Sequence, residues 1–201
     1  MNARAAAAIV SAVAWVALLL QLFLSLRLSL NNGNGIAHGV WMYLAYFTVL
    51  TNLMVAIIAT VAARRADGGH DLSWRGCAIT AIVLVGLGYH LLLRNIWVPT
   101  GLNWLANALL HYVVPLAALA WWLWSPPRRH IAPTAPLRWL LWPALYAAYA
   151  LTRGALSGFY PYPFIDASIL SGGRLALNCA GLALTFLVIA YLLRGLARLR
   201  S

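Results

Sequence analysis

Six stretches of this sequence are apolar for long enough to cross about 30 Å of hydrocarbon, which takes about 20 helical residues. They run over approximately residues 5–30, 39–63, 72–93, 104–124, 137–152 and 175–193. The fifth is the shortest, and Pro143 is expected to kink it. Connections are short apart from the one between Arg153 and Arg174, and "NNGNG" and "SPPRRHIAPTAP" carry strong breaker chemistry. The expected fold is an all-α integral membrane protein, one six-helix transmembrane bundle over residues 1–201. Composition agrees: 64% of residues are hydrophobic, 8% are charged and mean hydropathy is +0.82, unlike a soluble domain. Arg4 followed by an apolar run invites a signal-peptide reading. The run from Ala5 to about Leu26 is longer than a signal core, and no A-x-A site with a polar flank follows, so it reads as the first span.

Net charge is +11, yet all 14 basic residues are arginines scattered over short loops and tails. No basic stripe or nucleic-acid motif accompanies them, so the positive-inside rule is the better account. With six spans, one side holds Arg4, Arg64, Arg65, Arg75, Arg128, Arg129, Arg138, Arg194, Arg198 and Arg200. The other holds Arg27, Arg94, Arg153 and Arg174, so both termini are expected in the cytoplasm. Trp41, Tyr43, Trp97, Trp104 and Tyr162 fall near span ends on the outer side, and Trp74, Trp124 and Trp139 on the inner, as aromatic belts do. Cys77 and Cys179 are single residues in apolar segments, and no metal-ligand spacing such as H-E-x-x-H occurs, so neither a metal nor another cofactor is expected.

The polar residues inside the spans share a depth. In "YFTVLTN", Thr48, Thr51 and Asn52 are spaced i, i+3, i+4 on one helical face. Thr48 is expected about 12 Å inward from the outer end of the second span, at about 1.5 Å per residue. Asn103, Asn107 and His111 form a second stripe, with His111 about 10 Å inward. His90 with Arg94, and Arg174 with Asn178, are i, i+4 pairs at the outer ends of the third and sixth spans. Polar groups in hydrocarbon are costly and face a bundle interior or a wet cavity, so a common depth suggests one cavity toward the outer face. The bland alternatives are real. Asn and Thr often serve as interhelical glue, the favoured reading for Thr51 or Asn178 taken singly. Arg94 and Arg174 lie where long side chains snorkel. His111 is an ionisable group in the membrane, for which function is the default hypothesis.

A threonine hydroxyl is a weak nucleophile until a neighbouring imidazole takes its proton and later hands it to the leaving group. Thr48 and His111 have compatible depths for such a pair. The Asn side chains nearby, Asn52 and Asn107 foremost, are candidate donors to a developing oxyanion. Apolar walls would suit an acyl chain entering sideways from the bilayer.

These segments resemble the androgen-induced (FAR/AIG-like) six-transmembrane hydrolase family, most closely its bacterial Pr-six-Pr branch. "YFTVLTNLMVA" resembles the family's Thr segment, "LLHYVVP" its His segment and "YPYPFID" its Y-P-F-acid signature; "VPTGLNWLAN" adds a bacterial flavour. The match runs in order over nearly the whole chain. The resemblance implies a threonine hydrolase of fatty acid esters of hydroxy fatty acids, with Thr48 reactive and His111 its partner, in a bacterial cytoplasmic membrane. Thr51, within one turn of Thr48, is the alternative nucleophile.

Asp166 is the single acid expected outside the cytoplasmic loops. It could orient His111 in a triad, pair with an outer arginine or cap the structure that follows; the arginine pairing or a lid-loop role is favoured over direct catalysis. Arg94 is a candidate for holding a substrate carboxylate, and His90 and Asn178 complete the candidate binding residues. The rival readings are a b-type haem or quinone protein using His90 and His111, and a lipid-binding protein without turnover. A rhomboid-type protease built on "ALSG" around Ser157 lacks a histidine base.

Overall fold

The computed structural model describes residues 2–69, 74–125 and 131–199. Nine α-helices order the described residues: α1 (Ala3–Asn31), α2 (Ile36–Tyr43), α3 (Phe47–Arg64), α4 (Arg75–Gly88), α5 (Gly101–Ala108), α6 (Val114–Trp124), α7 (Ala135–Trp139), α8 (Leu141–Ser157) and α9 (Gly172–Arg198). One turn of π-helix, Tyr89–Leu93, extends α4, and another, Leu109–Val113, joins α5 to α6. Five continuous helical stretches are long and apolar enough to cross a membrane: Ala3–Asn31, Phe47–Arg64, Arg75–Leu93, Gly101–Trp124 and Gly172–Arg198. The architecture is that of an all-α, multi-pass membrane protein.

α1 packs along α3 through small residues. Ala6, Ala7, Ala14 and Ala17 on one side and Ala56, Ala59 and Ala62 on the other are all buried. Such faces let backbones approach closely, which is how helices associate where lipid is as apolar as leucine. One polar knot sits among them. Thr60 Oγ1 gives its proton to Ala56 O at 2.7 Å, so it accepts from Ser11 Oγ at 2.7 Å and Trp15 Nε1 at 3.0 Å.

Two of the expected spans are broken. The stretch 39–63 was expected to be one helix, yet α2 ends at Tyr43 and α3 begins at Phe47. The break frees carbonyls that hydrocarbon cannot satisfy. Tyrosines of α8 satisfy them: Tyr146 donates to Ala45 O at 2.9 Å and Tyr149 to Leu44 O at 3.3 Å. Thr48 therefore lies in the first turn of α3, not about 12 Å down a continuous helix. The stretch 137–152 divides at Leu140 into α7 and α8, and α8 runs on to Ser157. Pro143 has no N–H for the carbonyl of Trp139, four residues earlier. That carbonyl accepts instead from Cys77 Sγ at 3.6 Å. α9 begins three residues before the expected start, where Ser171 Oγ caps Arg174 N at 3.3 Å. Leu72, the expected start of the third span, and Arg128, Arg129 and Arg200 lie outside the described residues.

The molecule has two unlike ends. One gathers the first turn of α3, the π turns after α4 and α5, the end of α8 and the start of α9. The other carries Arg75, which is fully buried, stacks over Trp121 at 4.1 Å and donates to Trp121 O at 2.9 Å.

Candidate active site

Proline chemistry shapes the His111 segment. Val114 N–H bonds to Leu109 O, five residues back, in the π register. Leu110 O would look next to residue 115, a proline with no N–H. It is left for another donor, and Asn52 Nδ2 of α3 takes it at 3.3 Å while also donating to Thr48 O at 2.8 Å. One buried amide thus ties the first turn of α3 to the turn that carries His111. π turns cluster at functional sites in many proteins.

His111 Nε2 lies 3.3 Å from Thr48 Oγ1. Its Nδ1 lies 3.1 Å from the backbone oxygen of Asn107. A carbonyl only accepts, so Nδ1 carries the proton of the neutral ring and Nε2 presents a lone pair to the threonine. Tyr89 stacks on the imidazole at 4.1 Å, 26° between planes, and accepts from Asn107 Nδ2 at 2.7 Å.

A third group completes the centre. Tyr162 OH lies 3.3 Å from Thr48 Oγ1 and accepts from Thr48 N–H at 3.3 Å. It comes from the loop between α8 and α9, whose short 3-10 turn, Pro163–Ile165, follows it directly. Phe164 stacks on Tyr162 at 5.1 Å and 6°, and Asn178 Nδ2 holds the loop by donating to Phe164 O at 2.9 Å. The proton order is self-consistent. Thr48 N–H donates to Tyr162, Tyr162 to Thr48 Oγ1, Thr48 to His111, and His111 to the Asn107 carbonyl.

Thr48 opens on an apolar cleft of about 290 Å³, lined by Phe47, Leu84, Val85, Leu182 and other residues of α4, α8 and α9. Leu92 and Ala144 line it and are themselves exposed, so it reaches the side of the bundle through an apolar rim.

The other candidates are placed differently. Thr51 faces away, accepting from Trp142 Nε1 at 3.1 Å. Asn52 and Asn107 use their amides on Thr48 O, Leu110 O and Tyr89. Asn178 fixes the loop. His90 is exposed, with Nδ1 3.3 Å from Tyr112 OH and Nε2 3.1 Å from Arg94 Nη1. Neither His90 nor Arg94 lines the cleft. All four ring nitrogens of His90 and His111 have protein partners, and neither ring lines the cleft. The expected arginine partner of Asp166 is replaced by a local turn, its carboxylate accepting from Ser168 N at 2.9 Å and from Ser168 Oγ. A short acidic side chain bonding two residues onward is an intrinsic turn former. Tyr162 was missed as a site residue, although "YPYPFID" stood out in the sequence; its proline-bounded phenol in a span-free segment was the signal.

No family model, curated protein or solved structure matches this chain.

Proposed function

We propose that this protein is an intramembrane hydrolase of fatty acyl esters, with Thr48 as nucleophile and His111 as general base. The observation that carries the reading is the Thr48 Oγ1 to His111 Nε2 approach of 3.3 Å beside an apolar cleft, with Nδ1 committed to the Asn107 carbonyl. The tautomer is the one a base needs. His111 Nε2 takes the hydroxyl proton as Oγ1 bonds to the ester carbon. The imidazolium then protonates the departing alkoxide, releasing an alcohol and leaving an acyl-threonine. Water attacks that acyl group, His111 accepts the water proton and returns it to Thr48, and the carboxylic acid leaves.

The apolar rim at Leu92 and Ala144 suits a lipid arriving from within the bilayer, and fatty acid esters of hydroxy fatty acids, or similar acyl esters, are the proposed substrates. The resemblance of the Thr, His and Y-P-F segments to the FAR/AIG-like family and its Pr-six-Pr branch supports the same chemistry. α7 and α8 are proposed as the fifth of six crossings, with the arginine-rich end and both termini in the cytoplasm of a bacterial cell. The test is hydrolysis of a branched fatty ester by purified wild type, Thr48→Ala and His111→Ala protein. Both variants are expected to lose turnover, and equal hydrolysis by all three would sink the mechanism.

A further inference from the structure

Attack by Thr48 puts negative charge on the former carbonyl oxygen, and stabilising that charge is commonly the largest single contribution to acyl transfer. Of the two asparagines expected in that role, Asn52 has both amide hydrogens engaged and Asn107 gives one of its two to Tyr89. Two other donors converge on Thr48. Its own N–H is the second in α3, after Phe47, and so belongs to the first four that no carbonyl of the helix accepts. It also sits at the positive end of the α3 dipole. Its partner is Tyr162 OH at 3.3 Å, and the same hydroxyl is 3.3 Å from Oγ1.

We propose that the Tyr162 phenol and the Thr48 backbone N–H form the oxyanion site for chemistry at Thr48, making Tyr162 a catalytic residue. The inference rests on the hydrolase reading above. A phenol has one proton. Thr48 N–H only donates, so Tyr162 accepts from it and keeps its own proton for an oxygen on the Thr48 side. At rest that oxygen is Oγ1. Once Oγ1 bonds to the ester carbon, the oxyanion is one carbon away from it, and a donor already within reach of Oγ1 meets it with a small shift. The arriving oxyanion replaces the phenol oxygen as acceptor for Thr48 N–H, so both donors address one atom. When the intermediate collapses, the electron pair returns to the carbonyl and both hydrogen bonds relax without proton transfer.

The other phenols of the cleft are differently engaged. Tyr146 gives its proton to Ala45 O, and Tyr89 lies flat against His111. Tyr162 is buried, stacked on Phe164 and met edge-on by Tyr46 at 5.9 Å, so its hydroxyl is held in place before substrate binds.

Tyr162→Phe keeps the ring and removes the hydroxyl, which is both the donor assigned to the oxyanion and the resting acceptor for Thr48 N–H. Wild type, Thr48→Ala and Tyr162→Phe protein are compared for kcat and KM on one fatty ester, with melting temperature measured on each. Loss of a donor to the oxyanion lowers kcat and kcat/KM together, by about 100- to 1000-fold, with KM unchanged, while loss of the resting hydrogen bonds lowers the melting temperature by only about 2–4 °C. Turnover by Tyr162→Phe at the wild-type kcat, in protein whose hydrolysis still needs Thr48, overturns this inference and leaves the hydrolase reading standing. A loss expressed as raised KM together with lowered melting temperature overturns it too, as the mark of a packing role. Absence of Thr48-dependent hydrolysis in wild type overturns both readings.

Discussion

Replacing Asn52 by alanine should separate stability from rate. The side chain is fully buried and both bonds from its Nδ2 have been assigned: Thr48 O at 2.8 Å and Leu110 O at 3.3 Å. Removing the amide strands Leu110 O, whose helical donors are lost to the π register and to Pro115; an unsatisfied buried carbonyl costs about 1–3 kcal/mol. An opposing effect is present in the wild type. Asn52 Oδ1 is buried without a partner, so its own desolvation penalty, also about 1–3 kcal/mol, disappears with it. The two nearly cancel, and the lost interhelical bond, about 0.6 kcal/mol on average, with a small cavity leaves a net destabilisation of about 1 kcal/mol. For a chain of this size that lowers the melting temperature by about 2–4 °C. Catalytic geometry has no such compensation. The amide joins the turn bearing Thr48 to the turn bearing His111, and a misplacement of about 1 Å costs about 100-fold, so kcat should fall about 10- to 100-fold. Tryptophan-fluorescence melting in detergent and ester hydrolysis on the same sample measure both effects. A kcat equal to wild type would refute the tie between the two turns, and a melting temperature lowered by more than about 10 °C would refute the cancellation.

Thr51→Ala should retain hydrolysis within about threefold, an effect below about 1 kcal/mol, because Thr51 faces Trp142 and not His111; loss of turnover matching that of Thr48→Ala would reassign the nucleophile. On a background with Cys77 and Cys179 replaced, a membrane-impermeant maleimide added to intact cells should label a cysteine at Asn34 and spare one at Ala66, both exposed positions. The reverse pattern would invert the proposed orientation.

Much of the helical scaffold was legible because hydropathy is a property of local sequence. Residues 5–30 and 104–124 read as helices and are helical, because nothing in either stretch forces a complete break. Thr48 and His111 do meet, but not by the depth counted along a continuous second span, since α3 begins only at Phe47. The break at Leu44–Tyr46 was not legible. That segment holds neither glycine nor proline and is as apolar as its neighbours, and its carbonyls are met by Tyr146 and Tyr149, about a hundred residues later in the chain. Local sequence does not report a remote donor. Pro115 offered partial warning, since a missing N–H must be compensated somewhere, but which carbonyl it would strand depended on the π register. For Asp166 the arginine pairing is replaced by a local turn, the capping role that the sequence also left open. Tyr162 reaches Thr48 only through the return of the loop after α8, a tertiary event with no periodic signature.

The same remote donors set a schedule for biogenesis. A ribosome making this protein completes Thr48 and His111 well before Tyr146, Tyr149 and Tyr162. Until those tyrosines enter the bilayer, the carbonyls at the start of α3 and the Thr48 N–H lack the partners that hold them in the finished fold. The Thr48–His111 pair proposed as reactive is thus synthesised in an unassembled form. It is set in place only when the last third of the chain arrives.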